Sequence, residues 1–290
     1  MNFIDLHIHS TYSDGTLTPA LLIQQAKKSG LRAISLTDHD TTEGVEEIIK
    51  YGNTYGVEIL SGVELSAHID ASAVHILGYG LRHNDPVLLA QLAGIQEARN
   101  TRNQKIIKRL NELSIKITKE DVYKFSQTGQ TGRPHFAQFL IEKKVVNSFD
   151  DAFDIYLGQN GSAYVPRKIL FAADAIRYII DAGGLPVLAH PATIDFTMSS
   201  IPDLLEKLKN FGLSGVEVYY PTHSKKVRKT LLEICRQHDL IATGGSDFHG
   251  HRNAEKTLGR TGKNQRLPYE VLEKIKNRLS LVKAATIQEN

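Results

Sequence analysis

The 290-residue chain is 41% hydrophobic and 23% charged, ordinary values that exclude disorder as the default and suit one large α/β barrel with an insertion, such barrels running to roughly 250 residues. A formal net charge of +3 is too small over this length to mark a nucleic-acid coat or a membrane-surface protein, so any basic site is local. The single cysteine, Cys235, excludes an internal disulfide and a thiolate zinc cluster, suits a reducing compartment, and sits among Leu231, Leu232 and Ile234 like a helix-core residue.

The start, Met1-Asn2-Phe3-Ile4-Asp5, lacks the basic segment and apolar run of a secretory signal, and no stretch reaches the roughly 18 apolar residues of a membrane span. A cytoplasmic protein without membrane contact is expected. Strands are predicted at Phe3 to Ile8, Ala33 to Thr37, Val57 to Val63 and Val74 to Tyr79, then at Leu185 to Ala189, Val216 to Tyr219 and Leu240 to Thr243. Helical spacing fills the gaps at Pro19 to Ser29, with Pro at the start and Gly30 after the end, at Glu43 to Tyr55, Ala172 to Ala182, Ile201 to Phe211 and Ser224 to His238, and after the last strand at Tyr269 to Leu279. This alternation predicts βα units around a parallel sheet or barrel. Between Asp85 and Val165 the β signal fades and apolar residues recur at helical spacing, as in Leu88, Leu92 and Ile95 and again in Phe136, Phe139 and Leu140. Residues 85–165 therefore read as a helical insertion in a barrel made of 1–84 and 166–290.

The chemistry-bearing residues gather at predicted strand ends. In His7-Ile8-His9 two histidines two apart on a strand face the same way and can approach one ion. Alone, such a pair is more often a satisfied surface pair than a metal site. Asp14 follows in the turn Ser13-Asp14-Gly15, Thr37-Asp38-His39-Asp40 closes the second strand, Glu64 ends the third, and His75 lies in the fourth. Ala189-His190-Pro191 ends another, and Gly245-Ser246-Asp247-Phe248-His249 ends the last. Nine imidazoles and carboxylates are costly to bury together unless cations balance them. Nitrogen and oxygen donors without thiolate suit Mn²⁺, Fe²⁺ or Zn²⁺, with Mn²⁺ ranked first and Zn²⁺ second. Asp38 and Asp40 either orient His39 or form a turn, and Glu217 either supports a ligand or belongs to a polar barrel end. His68, His83, His238 and His251 read as structural or solvated.

In this order the motifs resemble those of the PHP (polymerase and histidinol phosphatase) family over nearly the whole chain. The resemblance implies a distorted (β/α)7 barrel with a mainly helical insertion, two or three divalent cations, and hydrolysis of phosphate esters by metal-activated water. Carried over residue by residue, it places His7, His9, Glu64 and Asp247 on one ion, with Glu64 bridging to a second held by His75 and His190. Asp14, His39 and His249 would hold a third. Asp247 and His249 are the candidates for moving protons.

Substrate choice is expected from the insertion. Glu97-Ala98-Arg99-Asn100-Thr101-Arg102 puts two arginines on one helical face, and Gly132-Arg133-Pro134-His135-Phe136 opens a helix whose N-terminus favours anions. Arginine forks match phosphate oxygens, although most helical arginines are merely solvated. Together with Ala152-Phe153 and Tyr164-Val165-Pro166, these segments resemble the branch of the family that contains 3′,5′-nucleotide bisphosphate phosphatases and 5′-to-3′ exoribonucleases. That likeness implies a nucleotide or short 5′-phosphorylated oligonucleotide as partner, recognised by Arg99, Arg102, Arg133 and His135, with His223 of Pro221-Thr222-His223-Ser224 as a further phosphate contact. No obligate protein partner is evident. The alternatives are a phosphatase for another small phosphomonoester, such as histidinol phosphate, and a non-catalytic metal-bound domain that serves a polymerase.

Overall fold

Strand β1 (Phe3–Ile8) is buried on both faces from Ile4 onward, as a central parallel strand requires. The computed structural model describes residues 2–126, 131–166, 169–250, 256–263 and 265–288, so the reading of His251 lies outside the described residues. Thr18 accepts a hydrogen bond from the Leu21 N–H and caps α1 (Pro19–Lys28), with Pro19 where its missing N–H costs nothing. Then come β2 (Leu31–Leu36), α2 (Val45–Tyr55), β3 (Glu58–Ile69) and β4 (Ser72–Tyr79). The insertion holds α3 (Pro86–Glu112), α4 (Lys119–Tyr123), α5 (Arg133–Glu142) and α6 (Phe149–Ala152), which runs into a π-turn at Phe153–Leu157. The barrel resumes through β5 (Leu170–Phe171), α7 (Ala172–Asp181), β6 (Leu185–Leu188), a 3₁₀ turn at Pro191–Thr193, α8 (Ile201–Asn210) and β7 (Gly215–Tyr219). It ends with α9 (Lys225–Gln237), β8 (Ile241–Gly244), β9 (Leu267–Pro268) and α10 (Glu270–Gln288).

The strands follow the order β8-β7-β6-β4-β3-β2-β1-β9, with β5 on β3. The path nearly closes on itself. The Asp247 N–H donates to the His7 carbonyl at 2.8 Å and the His9 N–H to the Phe248 carbonyl at 2.9 Å, which joins the segment after β8 to β1. The expected distorted barrel is therefore present, with two departures from a parallel pattern, the shorter being β9, which pairs antiparallel with β1. β4 runs antiparallel to both β3 and β6. Only Asp70 and Ala71 separate β3 from β4, and so short a link joins antiparallel strands only. A second correction concerns Glu64. It does not end the third strand, because Leu65, Ala67 and Ile69 continue an alternation with Ser66 and His68 and extend β3 to Ile69.

Inside the barrel, Leu6, Leu60, Leu77, Tyr79 and Val187 pack on Leu272, Ile275 and Leu279 of α10, which plugs one end. Outside, Val63, Leu65 and Ile76 meet Ile176, Ile179, Leu208, Leu231 and the buried Cys235. The first half of α3 joins this outer layer through Leu88, Leu92 and Ile95. Its second half supports a separate core of Ile106, Leu110, Phe136, Phe139, Leu140 and Leu157. At 27 residues, α3 is roughly 40 Å long and carries the insertion's core beyond the barrel while leaving its middle turns over the rim.

Candidate metal centre

Ile8 faces the outer layer beside Leu22, Ile34 and Phe248. The alternation of the strand turns His7 and His9 inward together, their ring centroids 5.2 Å apart. The last strand must come very close to reach them. A Cβ at Gly245 would lie 2.3 Å from the His7 Cβ and 2.5 Å from its nitrogen, so only glycine fits there. Just beyond, Asp247 has φ +52°, and His190, after β6, has φ +29°. Left-handed backbone at residues with a Cβ costs roughly 1–3 kcal/mol and persists only where the surroundings impose it. At Asp247 the hydrogen bond to the His7 carbonyl does so.

These elements converge on Glu64. Its Oε2 lies 3.2 Å from His7 Nε2, 3.3 Å from His9 Nε2 and 3.0 Å from His39 Nδ1. Its Oε1 lies 2.9 Å from His75 Nδ1 and 3.0 Å from His190 Nε2. Asp247 Oδ1 completes the first corner at 3.5 Å from His7 Nε2 and 3.2 Å from His9 Nε2. On the other side, Asp14 Oδ1 is 3.2 Å from His249 Nε2 and 3.9 Å from His9 Nδ1, and Asp14 Oδ2 is 3.9 Å from His39 Nε2. All nine sequence candidates thus share one cluster.

Three sets of donor atoms, each within 4.8 Å of one another, could hold an ion: His7, His9 and Glu64; His39, Glu64 and His75; and His9, Asp14, His39 and His249. Ligands around a cation with bonds of about 2.1 Å stand roughly 3.0–3.4 Å apart, the spacing seen around Glu64. Moreover, His7 Nε2, both His9 nitrogens, His39 Nδ1 and Glu64 Oε2 are buried without a hydrogen-bond partner. Such atoms are costly unless something binds them. The donor set fits divalent cations.

The clustered charges shift one another's ionisation. Burial opposes ionisation of Glu64, but His39, His7 and His75 outweigh it and hold the carboxyl well below its ordinary range. Asp14 and Asp247 are lowered in the same way, by His249 and His39 and by His249 and His7. Burial also disfavours a charged His7, yet Glu217, Glu64 and Asp247 raise it well above the usual imidazole value. His9 is raised to about 10 by Asp247 and Glu64 despite burial. For His39 burial prevails and lowers it to about 3.

A supporting layer fixes the cluster. Asp38 accepts from the Ser10 N–H at 2.7 Å and the Ser10 and Ser13 hydroxyls at 2.6 and 2.5 Å, tying together the loops that follow His9 and precede His39. Asp5, buried under the barrel mouth, accepts from the Ser246 N–H at 2.9 Å and the Gly259 N–H at 2.7 Å. Glu217 is fully buried against His7. Tyr220 and Lys256, unmarked in the sequence reading, both donate to Asp247 Oδ2, the tyrosine at 2.8 Å. Tyr220 lies one residue past β7, and that strand-end position is the signal that could have found it.

A cavity of about 190 Å³ opens beside the cluster, lined by Asp14, His39 and His75 on one side and by Arg99, Arg102 and Arg133 on the other. Arg99 pairs with the buried Asp40, which also accepts from the Ser66 N–H at 2.8 Å. Arg133 donates to the Leu157 carbonyl at 3.2 Å, with Phe153 under its guanidinium. His135 is placed differently: it is buried, and its Nδ1 accepts the Gly132 N–H at 3.0 Å, capping α5. His223 is buried beside Tyr220 with Nδ1 donating to the Val218 carbonyl at 3.0 Å. His83 meets Glu46, and His68 packs edge-on to Phe171, both away from the cluster.

The PHP domain matches residues 5–156. The 5′-3′ exoribonuclease Rnm of Escherichia coli K12 is 34% identical over 249 residues, covering 84% of each chain. The 3′,5′-nucleoside bisphosphate phosphatase of Chromobacterium violaceum is 32% identical over 259 residues, covering 89% of this chain and 91% of the relative. A solved structure from Bifidobacterium adolescentis, assigned as a metal-dependent phosphoesterase, superposes with a TM-score of 0.87 at 30% identity over 96% of both chains. Similarity of this extent, together with the domain match, makes the chain a member of the PHP domain family.

Proposed function

We propose that this chain is a metal-dependent phosphoesterase that removes the 3′-phosphate of nucleoside 3′,5′-bisphosphates and trims short 5′-phosphorylated RNA from its 5′ end. The observation that carries this reading is the single cavity in which the imidazole–carboxylate cluster faces Arg99, Arg102 and Arg133. A substrate with two phosphates uses both sides of it. The similarity to a bisphosphate phosphatase and to an exoribonuclease supports the same reading.

His7, His9, Glu64 and Asp247 would hold one cation, Glu64, His75 and His190 a second, and Asp14, His39 and His249 a third. Bound cations, Mn²⁺ first and Zn²⁺ or Fe²⁺ next, supply a water acidic enough to act as nucleophile and polarise the phosphoryl oxygens. Hydrolysis would join the oxygen of such a water to phosphorus and break the P–O3′ bond, the 3′-oxygen leaving as a hydroxyl. His249, its Nδ1 3.4 Å from Asp247 Oδ1, and Asp247 itself would move protons. Arg133 and Arg102 hold the non-reacting 5′-phosphate through forked hydrogen bonds. Residues 85–165 act as the recognition insertion on the barrel formed by 1–84 and 166–290. A cytoplasmic location suits the lone, buried thiol of Cys235.

The test is release of inorganic phosphate from adenosine 3′,5′-bisphosphate, and of mononucleotides from a 5′-phosphorylated RNA hexamer, by protein loaded with Mn²⁺. No product from either substrate with metal bound overturns the proposal. Arg133→Ala separates it from a single-phosphate substrate such as histidinol phosphate. A loss of about tenfold or more in kcat/KM is expected for the bisphosphate, and little change would favour the single-phosphate reading.

A further inference from the structure

Phe196 is 89% exposed, the most open large apolar side chain among the described residues. It stands on a tightly held loop. Asp195 Oδ1 accepts from the Thr197 N–H at 2.8 Å and hydroxyl at 2.6 Å, and its Oδ2 accepts from the Ser200 N–H at 2.8 Å, the Ser200 hydroxyl at 2.8 Å and the Ser199 hydroxyl at 3.0 Å. The loop that presents the ring to solvent is therefore held by its own hydrogen bonds, and the carboxylate beside the ring is saturated with donors.

The ring borders a groove of about 570 Å³ that also includes Ala192, Met198, Thr222, Lys226 and Val227. The groove is built from the loops that follow two strands whose ends reach the cluster. Ala192 is two residues past His190, and Thr222 is two past Tyr220, which donates to Asp247. Its far wall is the start of α9, where Lys225, Lys226, Arg228 and Lys229 crowd the first turns with no acidic residue in the first turn. The positive helix end adds to their charge. Arg228 reaches the next loop, 3.6 Å from where a Gly262 Cβ would stand, and Arg260 and Lys263 line a smaller cavity there.

An exposed ring on a hydrogen-bonded loop, an apolar floor and the cations at the start of α9 match a single-stranded polynucleotide, whose bases stack while its phosphates track the charge. We infer that this groove binds the RNA downstream of the reacting phosphate, with Phe196 stacking a base and Lys226 meeting a backbone phosphate. The inference rests on the function proposed above and deepens it: the groove makes an oligonucleotide, and not only a mononucleotide, a substrate that the chain is built to hold.

The experiment measures binding first, without catalysis. A 3′-fluorescein-labelled, 5′-phosphorylated hexauridylate is titrated with protein in EDTA and followed by anisotropy. Phe196→Ala and Lys226→Glu are each expected to weaken binding about fivefold or more, and Lys226→Glu to flatten the salt dependence by about one unit of slope. With Mn²⁺, the same variants are expected to raise KM for the hexamer while leaving adenosine 3′,5′-bisphosphate turnover within about twofold of wild type, since stacking downstream of the reacting phosphate is lost to the longer substrate alone. Unchanged binding of the hexamer overturns the inference, as does an equal loss on both substrates. Dissociation of a dimer by Phe196→Ala with unaltered RNA affinity also overturns it and makes the groove a self-association surface. If wild-type protein binds the hexamer through these residues but hydrolyses neither substrate, the groove stands and the proposed activity falls.

Discussion

The Nδ1 nitrogen of His7 lies 3.0 Å from Oε1 of Glu217, whose Oε2 accepts the backbone N–H of His190 at 2.8 Å. One buried carboxylate thus orients the His7 imidazole and places the strand end that carries His190, a candidate donor. A carboxylate on the far nitrogen of a liganding histidine fixes its tautomer and strengthens the other nitrogen as a donor. Glu217→Gln keeps the shape, removes the charge and can turn the wrong group toward His7. Mn²⁺ affinity measured by calorimetry is expected to fall roughly 10–100-fold with the circular dichroism spectrum unchanged. Unaltered affinity would reduce Glu217 to a packing role.

Arg99 behaves unlike its neighbours in the cavity. Its guanidinium pairs with Asp40, which is fully buried and held in left-handed backbone at φ +53°. This pair fastens α3 to the barrel rim. Arg99→Ala leaves a buried charge without its cation, a change that typically costs about 3–5 kcal/mol. The expected outcome is a large drop in the denaturant midpoint, together with reduced activity on every substrate. A variant of native stability with a raised KM for the bisphosphate alone would instead make Arg99 a phosphate clamp.

That the strand-end imidazoles and carboxylates converge was legible because each rests on a short local rule. Alternation turns His7 and His9 one way, and strand ends collect on one rim. Glu64 was found as a residue but misplaced in its strand, since an antiparallel hairpin carries β3 past the rim and only a two-residue link reveals it. His135 shows the limit of motif reading. A histidine three residues after Gly132 suits an anion at a helix start, yet in the structure its Nδ1 takes the first free N–H for itself. Partners far apart in sequence were invisible for the same reason in every case. Nothing local at Arg99 announces Asp40, and nothing at Lys256 announces Asp247.

The plug helix offers a test by pH. Glu58, at the start of β3, accepts from the Tyr269 hydroxyl at 2.6 Å and pairs with Lys276 of α10. Partial burial opposes ionisation of Glu58, but Lys276 and Tyr269 outweigh it and lower the carboxyl pKa, while Glu58 raises that of Lys276. A depressed carboxyl contributes stability above its unfolded value of about 4.3 and loses it as pH falls through the lower folded value. A raised ammonium contributes below its unfolded value of about 10.4 and loses it as pH climbs through the higher folded one. The pair therefore acts between those limits. Because both side chains are about a third exposed or more, solvent screening keeps the gain to about 0.5–1 kcal/mol. Glu58→Gln should lower Tm by about 1–2 °C at pH 7, the gap narrowing in high salt and closing as the wild-type carboxyl protonates in acid. A gap that persists undiminished at low pH would trace the loss to the Tyr269 hydrogen bond and packing, with the ion pair contributing nothing.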